Sequence, residues 1–170
     1  MRATSADESL VRRRDVPPAV TSVRILGKED VDLRGELLTS ETSREALSTY
    51  DFLETSIDNA VVIGTATLGG ALALLNDIDW YLTRYARATE VLEPSVSEDE
   101  WLSRRLAERL YENREEGTNP EETDEFYVVR GVRDGDLLQP LYSRGEPAEY
   151  DLAETDSVTV TRLDETEFRA

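Results

Sequence analysis

The chain has 170 residues, with 37 Asp and Glu against 19 Lys and Arg, a formal net charge of −18 and a pI of about 4.3. It contains no Cys and no His, which excludes disulfides, thiol nucleophiles, Ser-His-Asp and Cys-His triads, HExxH zinc sites and cysteine-ligated clusters within the chain. So large a net charge opposes compaction, and at ~1 M salt the screening length falls to ~3 Å, which removes most of that repulsion.

Lys28 is the single lysine among 18 arginines. Arginine keeps its charge, is weakly hydrated and forks onto carboxylates. The acidic composition and the preference for Arg point to a halophilic cytosol of haloarchaeal type. The longest apolar stretch, Leu68 to Leu75, falls far short of the ~20 residues of a membrane span. No apolar leader opens the chain, so the expected location is the cytoplasm, away from membranes. Nucleic acid is disfavoured as a partner because phosphate binding needs a basic face; the dense basic run is Arg12-Arg13-Arg14.

In chain order, residues 1–18 read as a disordered polar tail ending in Pro17-Pro18, or as residues before a later true start. Residues 19–170 read as one domain. Ala19–Leu26 reads as a strand on its β-branched residues. A helix is expected over Glu36–Thr49, with Ser40 able to split and cap it. Asn59–Ala66 reads as a buried strand. Leu68, Ala71, Leu72, Leu75, Ile78, Leu82 and Tyr85 recur at helical spacing and predict one long helix to Ala88, capped by Thr67. Ser97 and Glu100 have the spacing of a capping box and predict a second long helix carrying Trp101, Leu102, Leu106 and Leu110. Asn119-Pro120 predicts a short helical piece. Phe126–Val132 and Leu137–Tyr142 read as a hairpin about Asp134-Gly135, with Pro140 marking an edge or bulge. Ser157–Leu163 reads as a last strand. The expected fold class is α+β, about three helices, two of them long, on one face of a mostly antiparallel four- to five-stranded sheet.

Several runs carry a resemblance. Lys28-Glu29-Asp30-Val31-Asp32-Leu33-Arg34, Ser43-Arg44-Glu45-Ala46-Leu47, Leu74-Leu75-Asn76-Asp77, Trp80-Tyr81-Leu82, and Leu92-Glu93-Pro94-Ser95-Val96-Ser97 with Asp99-Glu100-Trp101-Leu102-Ser103-Arg104 resemble a small haloarchaeal family of unknown function. The resemblance spans Thr21 to Leu163. It implies no activity, ligand or catalytic residue.

The constellations that could carry chemistry are incomplete. Gly64, Gly69 and Gly70 lie between a strand and a helix, where phosphate loops sit, but Gly70-Ala71 replaces the required Lys-Ser/Thr. Close helix packing is the simpler role. Asp30 and Asp32 follow the first strand, and in so acidic a chain they read as solvated surface. Asn76, Asp77 and Asp79 are a candidate pocket or carboxylate site, either as general base or as oxygen ligands for a divalent cation; a polar staple between helices is the alternative. Trp80, Tyr81, Trp101 and Tyr111 are a candidate partner surface, or else a shared core. Arg12, Arg13 and Arg14 are a candidate arm for an anionic partner.

Three functional readings follow. The first is a non-catalytic interaction or regulatory module with an unknown protein partner. The second is a carboxylate-dependent enzyme or divalent-cation-binding protein centred on Asp77 and Asp79. The third is an RNA- or ribosome-associated factor using the Arg-rich tail. No motif is complete, so the sequence assigns no reaction, no metal site and no cofactor.

Overall fold

β1 (Ser22–Gly27) forms where a strand is expected, and all of its residues are buried. A strand hidden on both faces needs cover on both. Its Val23 and Ile25 lie in the helix-covered core, whereas Arg24 and Leu26 point to the opposite face. This fold is a computed structural model describing residues 20–115 and 125–169, without the side chains of 168 and 169. The tail expected at 1–18 and the helical piece expected at Asn119-Pro120 lie outside those residues.

α1 (Leu33–Thr39) and α2 (Glu41–Leu47) divide the first expected helix at Ser40. Ser40 has an extended backbone, but its hydroxyl meets Tyr81 Oη at 2.6 Å instead of capping α2. Asp32 caps α1, accepting from the Gly35 N–H at 3.2 Å. The three-residue strand β2 (Asp51–Leu53) has no signal in sequence, and β3 (Ala60–Gly64) matches the expected apolar run.

The single helix expected over Leu68–Ala88 is corrected. α3 (Leu68–Asp77) is capped by Thr67 as expected, its hydroxyl accepting from Gly70 N–H at 3.0 Å. The helix stops at Ile78, α4 (Asp79–Tyr85) restarts it, and Ala86–Leu92 is strand β4. Leu75, Ile78 and Leu82 are all buried, so the apolar stripe runs straight through the break and hides it. The second long helix is corrected too. Ser97 Oγ does accept from Glu100 N–H at 3.0 Å, yet Glu100–Ser103 is strand β5, and α5 begins only at Arg104 (Arg104–Glu115).

β6 (Phe126–Arg133) and β7 (Asp136–Leu137) make the expected hairpin, with φ of 51° at Asp134 and 87° at Gly135. Positive φ at both central residues is what a type I′ turn requires. Pro140 interrupts the return, and β8 (Leu141–Arg144) resumes pairing with β6 beyond it. β9 (Ser157–Leu163) is the expected last strand, followed by α6 (Glu165–Arg169).

The expected class of three helices on a small antiparallel sheet is therefore overturned. Among the described residues there are six helices and a 9-stranded mixed sheet in the order β2-β3-β1-β4-β5-β9-β6-β7, with β8 also on β6. β5 and β9 run parallel and all other pairs are antiparallel. The difference arises in part because residues 86–88 and 100–103, expected to be helical, join the sheet within β4 and β5. Helices α1 to α5 share one core with Val23, Ile25, Val61, Ile63, Val91 and Leu102.

The other face is covered by the sheet itself. In a flat sheet β1 and β6 would stand four strand spacings apart, about 19 Å. Instead Leu26 of β1, Ile57 and Val132 of β6 form one buried cluster. Asp58 N–H also donates to Gly135 O at 2.7 Å. The sheet curls, and β6 and β9 come over β1 and β4.

Candidate functional site

The inner face of that curl holds a buried charged network. Arg24 stands opposite Glu90 in the β1–β4 register, and its Nε and Nη2 donate to Glu90 Oε1 at 2.8 and 2.6 Å. Arg130 Nη1 donates to Glu90 Oε2 at 3.3 Å, and Thr161 Oγ1 donates to the same oxygen at 2.6 Å. The Arg24 guanidinium also lies over the Trp101 ring, 4.3 Å from its centroid. Side-chain exposure is 5% for Arg24, 3% for Glu90 and 11% for Arg130. Among the described residues two cations share one anion here, a net charge of +1. With both oxygens of Glu90 engaged, its carboxylate holds position and orients guanidinium groups.

Two other buried carboxylates, Glu93 and Asp164, lie just past the ends of β4 and β9. Burial alone would raise the Glu93 pKa, but hydrogen bonds from Ser95 and Thr21, with Arg114 nearby, hold it below the ordinary 4.5. Burial likewise works against Asp164, and Thr166 and Arg109 hold its pKa below the ordinary 3.8. Asp164 N–H donates to Glu167 Oε1 at 2.9 Å, and Asp164 Oδ2 accepts from the Thr166 N–H at 3.3 Å, so Asp164 caps α6. Burial and the neighbouring Glu125 push the Tyr127 phenol up to about 12. A carboxylate with a lowered folded pKa contributes stability above its unfolded pKa and loses it as pH falls through the folded value. The urea midpoint is therefore expected to hold from pH 7 to about 5 and to fall below about 4.5. Glu93→Gln, which loses charged hydrogen bonds, should cost about 1.5–3 kcal/mol at pH 7 and show a shallower acid decline than wild type. An unchanged acid slope in that variant would count against the Glu93 assignment.

The residues singled out from sequence fall as follows. Asn76 and Asp79 come together on Arg104, at 2.9 Å from Nη2 and 2.6 Å from Nη1. Asp79 is largely exposed, and this is a surface ion pair joining α3, α4 and α5. Asp77 is exposed on the last turn of α3. Trp80 and Tyr81 meet edge-on at 4.9 Å, with Arg84 stacked on Trp80. Trp101 is elsewhere, on the inner face of the sheet against Arg24, so the four aromatics do not form one surface. Tyr111 lies on α5 over Gly69, where an added Cβ would come within 3.0 Å of its ring. That contact accounts for a glycine at 69 without a bound phosphate. Asp32 serves as a helix cap. Arg12, Arg13 and Arg14 lie outside the described residues. Among the described residues no group of three or more Asp or Glu is arranged to hold a metal ion, and no helix is long and apolar enough to cross a membrane.

A groove of about 470 Å³ opens beside β2 and β3, lined by Arg34, Phe52, Leu53, Ile57, Val61 and Val62, among others. β2 pairs with Gly64, Ile63 and Val62 and then leaves the sheet. Beyond that point the outward main-chain groups of Ala60 border the groove with no strand beside them among the described residues, while those of Val61 face β1. Arg34 lies over the Phe52 ring at 4.7 Å.

A family model described as a family of unknown function (DUF5804) matches residues 21–132, well over half of the chain. The chain belongs to that family. Comparison with curated proteins and with solved structures gives no match. The DUF5804 match takes in β1 to β5 and nearly all of β6, and with them Arg24, Glu90 and Arg130; Thr161 on β9 lies beyond it.

Arg24, Glu90 and Arg130 did not stand out in the sequence. The available signal is a charged residue inside an apolar strand, as in Val23-Arg24-Ile25 and Val129-Arg130-Gly131. In an ordinary alternating strand that residue faces water. Only the curl turns it inward.

Proposed function

We propose that this chain is a non-catalytic interaction module that receives an extended, apolar segment of a partner protein along the free edge of β3. The observation that carries the reading is the departure of β2 after Leu53, which leaves strand edge next to an apolar groove. Strand addition draws affinity from main-chain hydrogen bonds and selectivity from pockets for alternate side chains. Leu53 is 41% exposed and Val62 nearly buried, so one wall of the groove is apolar and reachable. Arg34 and Glu54 offset each other at its margin, which favours an uncharged segment over a basic or acidic one. The carboxylate-dependent reading draws no support from Asp79, whose charge is met by Arg104.

The test is amide hydrogen exchange with a panel of Val- and Ile-rich uncharged octapeptides at high salt. At least one peptide is expected to slow exchange at Ala60, and Leu53→Lys should reduce that binding tenfold or more. Failure of the whole panel to protect this edge, or binding indifferent to Leu53→Lys, would remove the reading.

A further inference from the structure

We propose that the inner face of the curled sheet is a binding site for one monovalent anion of halide type, held by Arg130. Three observations converge there. First, charge does not balance: among the described residues Arg24 and Arg130 share only Glu90, and all three side chains are withdrawn from water. An uncompensated charge in such surroundings is costly, and a single anion neutralises the group.

Second, the carboxylate is full. Glu90 Oε1 accepts two hydrogen bonds from Arg24, and Oε2 accepts from Arg130 and Thr161. A carboxylate offers about four acceptor positions, so Glu90 has none left for Arg130 Nε.

Third, Arg130 Nε is buried and has no hydrogen-bond partner among the described residues. Arg130 spends Nη1 on Glu90, leaving its Nε–H donor edge directed elsewhere. Buried donors in folded proteins are rarely left unmet, and guanidinium groups are weakly hydrated and suited to anions. Thr159 stands directly across from Arg130 in the β6–β9 register, so its side chain lies on the same face of the sheet. One guanidinium edge and one hydroxyl suit a small singly charged ion. A dianionic phosphate would overshoot the charge and ask for more donors.

The experiment uses the full chain in potassium chloride and in potassium gluconate at equal ionic strength. Site binding to the folded state raises stability logarithmically with ligand. Each tenfold rise in chloride above saturation is therefore expected to add about 3–6 °C to Tm relative to gluconate. Arg130→Leu leaves the balanced Arg24–Glu90 pair and should abolish the chloride-specific increment. Crystals grown in bromide should show an anomalous peak within hydrogen-bond distance of Arg130 Nε. That bromide experiment on the unsubstituted protein decides the matter even if Arg130→Leu does not fold. Equal Tm in the two salts at every concentration, or bromide peaks confined to other places, overturns the proposal.

Discussion

Glu90→Ala is expected to destabilise the protein by about 3–5 kcal/mol, since removing one partner of a buried ion pair leaves the other charge uncompensated. Here it leaves two, Arg24 and Arg130, and also takes the acceptor from Thr161. The sign is informative because the general electrostatics run the other way. In a chain of net charge −18, deleting a glutamate lowers the overall self-repulsion. An exposed control, Glu54→Ala, should therefore stay within about 0.5 kcal/mol of wild type. Replacing the whole network by apolar residues of similar volume is a different experiment and can be neutral. Urea unfolding at fixed salt measures all of these variants. A loss below about 1 kcal/mol for Glu90→Ala would mean that water reaches the arginines and that the inner face is open.

Leu75→Ala should cost about 2–5 kcal/mol, the range for a buried leucine that leaves a cavity. Leu75 is fully buried on α3, in the core that joins helices α1 to α5 to β1, β3, β4 and β5. For a chain of this size the corresponding fall in Tm is about 4–20 °C. The slope of the urea transition should stay the same, because the surface exposed on unfolding hardly changes. Core leucines of α3 are held from the sheet side and from neighbouring helices, so the cavity has little room to collapse. A drop of less than about 1 kcal/mol would show α3 to be loosely packed.

The strands with local signals were legible before any coordinates: β1, β3, β6 and β9 coincide with β-branched runs, and Asp134-Gly135 adopts the expected turn. The split at Ser40 was legible because serine has an extended conformation to offer there. What failed was everything decided by a distant partner. Glu100 keeps the local hydrogen bond to Ser97 that a helix start would make, yet it pairs with Val160 in the sheet. Residues 86–88 end the expected helix but, with 89–92, lie against β1 along Gly27 to Ser22. The candidate site was illegible for the same reason. Whether Arg24 meets water or Glu90 and Arg130 depends on how far the sheet curls, which no window of residues encodes.

The place of β9 has a consequence for the order of folding. It lies between β5 and β6, parallel to one and antiparallel to the other, and it pairs Glu100 with Val160 across a long stretch of chain. The strands synthesised first can assemble as β2-β3-β1-β4-β5, and β6 can zip with β7 and β8, but no strand pairing joins these two pieces until β9 arrives. Non-local pairing of this kind is slow because the loop must close before any contact rewards it. While a nascent chain waits, β5 and β6 each present a bare edge, and bare edges are where chains stick to one another. Insertion of the last strand is thus the step at which productive folding and aggregation compete.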